Sequence, residues 1–260
     1  ISKRIIAFAR LLTGPVPGGL GIISIVVTLF WGAISGSGPA TVAALGSILI
    51  PAMIEDGYDK GFAAALIAAS SAVAVVIPPS INLVVYGVIS GDSIGTLFIS
   101  GIIPGILMGI CFIVYAFIYS MRHGYRGERF GTVKEVLHGF REAIWGLFSP
   151  IIILGGIYGG IFTPTEAAVV AVIYSLLIGL FVYKEFNVKD LWHILADAGV
   201  SSASILIIMA NAGAMTWLIT SQGIATRFGT ALLGVSDHRI VILLLIDLMV
   251  IIAGVFIDGI

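Results

Sequence analysis

Charge is what this sequence has least of. Only 10% of its 260 residues are Asp, Glu, Lys or Arg, against about a quarter in a soluble domain. With 59% of the residues apolar, a water-facing globule of this size cannot hide its hydrophobic surface. Cysteine is nearly absent too. Cys111, the one example, sits in an apolar run, which excludes an internal disulfide and a cysteine-based metal cluster. The four histidines, His123, His138, His193 and His238, fall in polar connections without metal-ligand spacing, and no phosphate-binding P-loop occurs. A zinc-dependent membrane protease and an ATP-driven pump are therefore unsupported. A net charge of −1 gives nothing for nucleic acid to bind, and no arginine falls within an apolar segment to clamp a carboxylate.

What is present is glycine, 33 residues of it, and a series of long apolar segments. These run over roughly 17–34, 41–54, 62–90, 97–120, 145–162, 165–183, 200–219 and 240–257. A membrane span needs about 20 apolar residues. The segment 41–54 falls short of that, so 17–54 reads as a re-entrant hairpin that enters and leaves by one face. Residues 121–142 are polar, yet Val133, Val136, Leu137, Phe140 and Ile144 recur at helical spacing, the pattern of an amphipathic helix lying in the interface. Residues 187–198, with Val188, Leu191, Trp192 and Leu195 on one side, read as a second. The chain starts at Ile1 and stops at Ile260 after an apolar segment, without a signal peptide, and is expected to be an internal piece of a longer protein.

Basic residues orient these segments. With 17–54 as a hairpin open to the cytoplasm and the next five segments crossing alternately, Lys3, Arg4, Arg10, Lys60, Arg122, Arg126, Arg129, Lys134, Arg141, Lys184 and Lys189 are cytoplasmic, and only Arg227 and Arg239 lie outside. That asymmetry obeys the positive-inside rule. It also brings 240–257 in from outside, towards Asp258. Each end of the chain then carries an apolar helix leading to a polar break, approached from opposite sides, which is the pattern of an inverted repeat.

Three breaks carry the candidate chemistry. The first, Ser35-Gly36-Ser37-Gly38-Pro39-Ala40-Thr41, combines helix-disfavouring glycines and a proline with three hydroxyls. Carbonyls freed there can coordinate a small cation, and the next half-helix offers N–H groups to an anion; an ordinary loop is the alternative. The second, Ile77-Pro78-Pro79-Ser80-Ile81-Asn82, removes two helix donors in mid-segment, tolerated at depth only where it is buried in protein or lines a cavity; a purely structural kink is the alternative. The third centres on Asp258, a carboxylate at membrane depth unless its segment ends at an interface. Asp247 lies mid-helix and reads equally as packing. Thr163-Pro164-Thr165-Glu166 reads as a helix start, with Thr163 as N-cap and Glu166 closing a capping box. Thr41, Asn82 and Asn211 are candidates for substrate contact, although a polar residue joining two helices explains Asn211 as well.

Taken together, the stretches SGSGPATVAALGSILIPAM (35–53), IPPSINLVVYGVISGDSIGTLFISGIIPG (77–105), GGIFTPTEAAVVAVIYSLLIGLFVYKEF (159–186), TSQGIA (220–225) and FIDGI (256–260) resemble the large membrane subunit of the tripartite ATP-independent periplasmic (TRAP) transporters, with the sialic acid type favoured on overall similarity. The resemblance implies an all-α integral protein of the bacterial inner membrane, an elevator with inverted repeats, re-entrant hairpins and broken helices. It implies sodium-coupled uptake of a small organic anion, sialic acid or a C4-dicarboxylate, with a periplasmic binding protein and a small Q-type membrane subunit, separate or fused, as partners. Sodium is the coupling ion and no cofactor is expected. By the family pattern, Ser35, Gly36, Ser37, Pro79 and Ser80 enclose one sodium, and Asp258 helps hold another whose remaining ligands this chain does not contain.

The expected organisation is an N-terminal interfacial segment (1–16), a first hairpin and broken helix of a transport domain (17–96), scaffold helices with the amphipathic arms 121–142 and 187–198 (97–198), and the start of a second transport half (199–260). Rival readings are a stand-alone sodium–dicarboxylate or citrate carrier, a channel, or an intramembrane enzyme. The last lacks any membrane-embedded His or Lys to activate a hydroxyl.

Overall fold

The computed structural model describes residues 16–125, 132–235 and 238–256, and every described element is helical. The chain divides into two compact units, Ile1–Asn187 and Val188–Ile260. In the first, α1 (Gly19–Ser35) and α2 (Gly38–Glu55) form a helical hairpin. The third helix, α3 (Lys60–Ser71), tightens into a 3₁₀ turn at Ala72–Val75 before the chain breaks and resumes as α4 (Ile81–Ser90). Then come α5 (Ile94–His123), α6 (Val133–Tyr158) and α7 (Pro164–Leu177), the last ending in a π turn, Ile178–Val182. The second unit holds α8 (Leu191–Ser221), α9 (Ile224–Leu233) and α10 (Arg239–Phe256).

Among the described residues, five helical segments are long and apolar enough to cross a membrane: Gly38–Glu55, Ile94–His123, Val133–Tyr158, Pro164–Val182 and Leu191–Ser221. Two sequence expectations change here. The second arm of the hairpin is not short: α2 has 18 residues, about 27 Å at 1.5 Å per residue, because Gly38, Pro39 and Ala40 join the helix instead of the break. Its length therefore no longer argues for re-entry. Nor is 121–142 a single amphipathic helix. Residues 121–123 close α5, and 133–142 are the opening turns of α6, which continues without interruption into the apolar stretch. Likewise 191–198 open the 31-residue α8. An apolar stripe and a fully apolar segment share one helical phase across each junction, and no glycine–proline pair ends the helix between them.

Helix starts follow from local chemistry. Thr163 is the N-cap of α7, with its backbone N–H donating to Glu166 Oε2 (2.8 Å) and its Oγ1 accepting from the Glu166 N–H (3.3 Å), as the sequence predicts. Thr132 and Glu135 do the same for α6. The hydrophobic core lies where α1, α2 and α3 meet, around Ile23, Leu45, Leu49, Met53 and Ile67, all 2% exposed or less. At the base of this bundle Tyr125 Oη accepts from the Asp59 N–H (3.0 Å), and Tyr58 packs on Tyr125 with ring centroids 4.2 Å apart. Burial pushes the Tyr58 phenol above its ordinary range, so it stays neutral at physiological pH.

In α5 a stripe of Gly101, Gly105 and Gly109 is buried. A Cβ at Gly101 would meet the Val76 carbonyl, one at Gly105 the Ile77 side chain, and one at Gly109 the Leu29 side chain at 2.6 Å. Small residues four apart let backbones approach closely in a membrane, where there is no hydrophobic drive between helices. The first half of α5 is thereby fastened to the helix break and to the hairpin.

Candidate functional site

The first break is a tight, self-bonded corner. Gly36 ends α1 in the left-handed conformation (φ 64°), its N–H donating to the Gly32 carbonyl (2.7 Å). Ser37 is extended and caps α2, accepting from the Ala40 N–H (3.5 Å). Thr41, fully buried, donates through Oγ1 to the Ser37 carbonyl (2.7 Å), and its hydroxyl lies 2.7 Å from that of Ser35. The Ser37 N–H donates to Ser35 Oγ (3.3 Å). Thr41 is thus bound into the corner it was expected to help form.

The second break is built by subtraction. Pro78 and Pro79, joined by a cis peptide bond, bring no N–H, so the carbonyls of Ala74 and Val75 lose the donors a helix would supply. Ser80 compensates one of them: its Oγ donates to the Val75 carbonyl (2.6 Å) and accepts from the Leu83 N–H (3.4 Å), capping α4. Ser80 is 1% exposed and Pro78 is fully buried, which meets the condition for irregular backbone at membrane depth.

The two breaks are brought together. The Ile81 N–H, at the start of α4, donates to the Gly36 carbonyl at the hairpin tip (3.2 Å). Three glycines allow this approach. A Cβ on Gly36 would stand 3.0 Å from the Pro79 carbonyl and 3.1 Å from the Ile81 nitrogen; on Gly32, 2.7 Å from Ala74 Cβ; on Gly38, 3.2 Å from the Ser71 carbonyl. The N-termini of α2 and α4, both extended at a serine cap, therefore belong to one structure. Around it, Ser71 Oγ and Asn82 Oδ1 are buried oxygens without a hydrogen-bond partner. Such oxygens cost free energy unless a ligand, water or ion engages them.

Of the residues singled out in the sequence, Ser35, Gly36, Ser37, Thr41, Pro79, Ser80 and Asn82 all fall in this junction. Asn211 lies in the second unit, on α8, exposed, with Nδ2 donating to the Ile207 carbonyl one turn back (2.8 Å). Asp258 lies outside the described residues. Sequence reasoning passed over Gly32, Gly101 and Gly105; the available signal was glycine at helical spacing inside apolar segments flanking a proline break.

Two interrupted helices joined at their breaks, with helix N-termini and unpartnered buried oxygens beside them, and several helices long enough to cross a membrane, define a polytopic membrane protein with a polar junction inside it. The chain belongs to the family described as "Tripartite ATP-independent periplasmic transporter, DctM component", which matches residues 1–260. It is 44% identical to the isethionate TRAP transporter permease protein DctMQ of Oleidesulfovibrio alaskensis, over all of this chain and 41% of that protein. Identity is 37% to the C4-dicarboxylate TRAP transporter large permease protein DctM of Vibrio cholerae, over 99% of this chain and 61% of that one. To the sialic acid TRAP transporter permease protein SiaT of Haemophilus influenzae it is 33%, over 100% of this chain and 42% of that one. The chain thus spans between about two fifths and three fifths of these relatives. It is a multi-pass protein of the bacterial inner membrane, and these relatives are named as permeases.

Proposed function

We propose that this chain forms the first half of the transport core of a sodium-coupled symporter for small organic anions. The observation that carries this reading is the Ile81 N–H to Gly36 carbonyl bond, which joins the hairpin tip to the helix break. One compact centre then holds serine oxygens, backbone carbonyls and two half-helix N-termini. Sodium is bound by oxygen ligands, and Ser35, Ser37 and Ser80, with the carbonyls beside Gly36 and Pro79, supply them. The unpartnered oxygens of Ser71 and Asn82 fit a cation's demand for acceptors. The N-termini of α2 and α4 favour negative charge and suit an anion drawn in beside the sodium. Each ligand then stabilises the arrangement the other needs, so their affinities are reciprocally coupled.

Alternating access works in this reading as an elevator. The glycine contacts of α5 fasten it to the break, so we draw the moving part as 17–125 in place of 17–96. The scaffold then begins at α6, and the polar openings of α6 and α8 serve as arms. Asp258 contributes to a second sodium site. A periplasmic binding protein delivers the anion and a small Q-type subunit, separate or fused, braces the scaffold. Relatives named for a sulfonate, a dicarboxylate and sialic acid share an acidic group, which supports the organic-anion class; sialic acid and C4-dicarboxylates remain candidates beside isethionate.

The test is uptake by the full-length protein in proteoliposomes, with its small subunit and binding protein, using a panel of carboxylates and sulfonates. Uptake is expected only with an inward sodium gradient and the binding protein. Asp258→Ala is expected to abolish it while leaving membrane insertion intact. Sodium-independent uptake, or normal uptake by that variant, overturns the reading.

A further inference from the structure

Away from the helix breaks, α6 and the end of α7 border an open cavity of about 260 Å³, lined by His138, Arg141, Glu142, Trp145, Val182 and Tyr183. The four α6 residues stand at i, i+3, i+4 and i+7, one helical face. Two tyrosines fasten α7 and its end to α6 beside it. Tyr183, 7% exposed, places its hydroxyl between two backbone groups of α6, donating to the Glu142 carbonyl (2.8 Å) and accepting from the Gly146 N–H (3.2 Å). Those two groups are i and i+4 partners of a regular helix, so one hydroxyl ties the end of α7 to both ends of a single rung of α6. One turn away, Tyr174 donates to the Trp145 carbonyl (2.6 Å). Gly179 admits the Phe186 ring where a Cβ would collide with it, which turns the chain sharply after α7.

Its position is specific. The first ten residues of α6 carry Lys134, Glu135, His138, Arg141 and Glu142, and from Ala143 to Tyr158 no charged residue follows. The last turn of α7 is apolar up to Tyr183, with Lys184 and Glu185 next. Both elements cross from apolar to charged sequence at the cavity, so it lies at the membrane–water boundary, where a half-exposed Trp145 (45%) is at home. The fixed charges are Arg141 and Glu142, one of each sign. His138 Nε2 stands 3.5 Å from Glu142 Oε1 on the outer side.

We propose that this cavity binds the headgroup of a zwitterionic membrane phospholipid, with the phosphodiester on Arg141, the ammonium on Glu142 and the glycerol region against Trp145. A guanidinium fork matches phosphate oxygens, and an adjacent carboxylate offsets the opposite end of a zwitterion while repelling a headgroup with net negative charge. Such a lipid fills the pocket between α6 and the end of α7 and fixes the angle between them.

The test uses the full-length permease, purified with its native lipids and read by native mass spectrometry, then delipidated and titrated with short-chain phosphatidylethanolamine, short-chain phosphatidylglycerol, glycerophosphoethanolamine or inorganic phosphate. Phosphatidylethanolamine is expected to bind most tightly. Arg141→Ala is expected to weaken it roughly tenfold, Arg141→Lys less, and Lys134→Ala, outside the cavity, not at all. Glu142→Gln is expected to keep phospholipid binding but lose the preference over phosphatidylglycerol. Equal binding by Arg141→Ala and the unmodified protein overturns the proposal. So does a preference for phosphatidylglycerol in the unmodified protein, or full competition by inorganic phosphate alone. Glu142→Gln keeps the proposal testable should Arg141→Ala fail to fold.

Discussion

The bundle of α1 to α5 and the helices of the second unit are both apolar and both contain hydroxyls and amides; in both, some hydroxyls close their own helix, but in the bundle others join separate stretches of backbone. In the bundle, Thr41, Ser70, Ser71 and Ser80 are 1% exposed or less, and several polar groups bond beyond their own helix turn: Ser35 to Thr41, Ser80 to Val75, Ile81 to Gly36. In the second unit, Ser201, Ser204 and Asn211 each bond a carbonyl four residues back in α8, and α8 buries no residue. Hydroxyls that join interrupted backbone, together with the Ile81 amide, tie the two breaks into one junction, the proposed centre. The glycines divide the same way. Those of α5 and the hairpin tip sit against backbone or side chains, whereas Gly199 and Gly213 in α8 face open space.

The sharpest way to break this contrast is to exchange glycines. Gly101→Val drives a side chain into the Val76 carbonyl, an overpacking of about 1–3 kcal/mol or more, and is expected to lower the yield of monodisperse protein and abolish uptake. Gly213→Ala, with nothing within 4 Å, is expected to leave thermal stability unchanged or raise it by up to about 1 kcal/mol through helix propensity. Equal effects would erase the distinction between the two regions.

Next in size is Ser80→Ala. It removes both the cap of α4 and the bond to Val75, at a cost of about 1–2 kcal/mol, and is expected to depress sodium-dependent uptake far more than stability alone explains. Thr163→Ala removes a cap of similar strength, about 1 kcal/mol, from the exposed start of α7, outside the proposed centre. It is expected to lower the melting temperature while leaving the sodium dependence of uptake unchanged. The smallest effect is expected for Asn211→Ala, within about 0.5 kcal/mol, because its side chain bonds only its own helix. A large loss of substrate affinity in that variant would return Asn211 to the binding centre.

Much of the bundle was legible in the sequence because its signals are local. Gly, Pro and Ser marked both breaks to within a few residues, and Thr163-Pro164-Thr165-Glu166 named its own role as a helix start. Helix ends inside apolar sequence were less legible. Gly38 and Pro39 read as part of the break but form the first turn of α2, since proline is well tolerated there. The amphipathic segments at 121–142 and 187–198 gave no sign that 133–142 and 191–198 run on into spans, because periodicity shows a stripe but not where a helix stops. The pairing of the breaks was the least legible. It depends on an amide of Ile81 and on the absence of side chains at Gly32, Gly36 and Gly38, none of which carries a chemical signature.

The most direct test of the joined breaks as a cation centre is the melting temperature of the full-length protein against rising sodium, with potassium as control. Binding at a hundred times Kd stabilises the folded state by about 2.7 kcal/mol. Sodium is predicted to raise the melting temperature where potassium does not, and Ser80→Ala is predicted to flatten the sodium response. Equal responses to sodium and potassium, or an undiminished sodium response in Ser80→Ala, would contradict it.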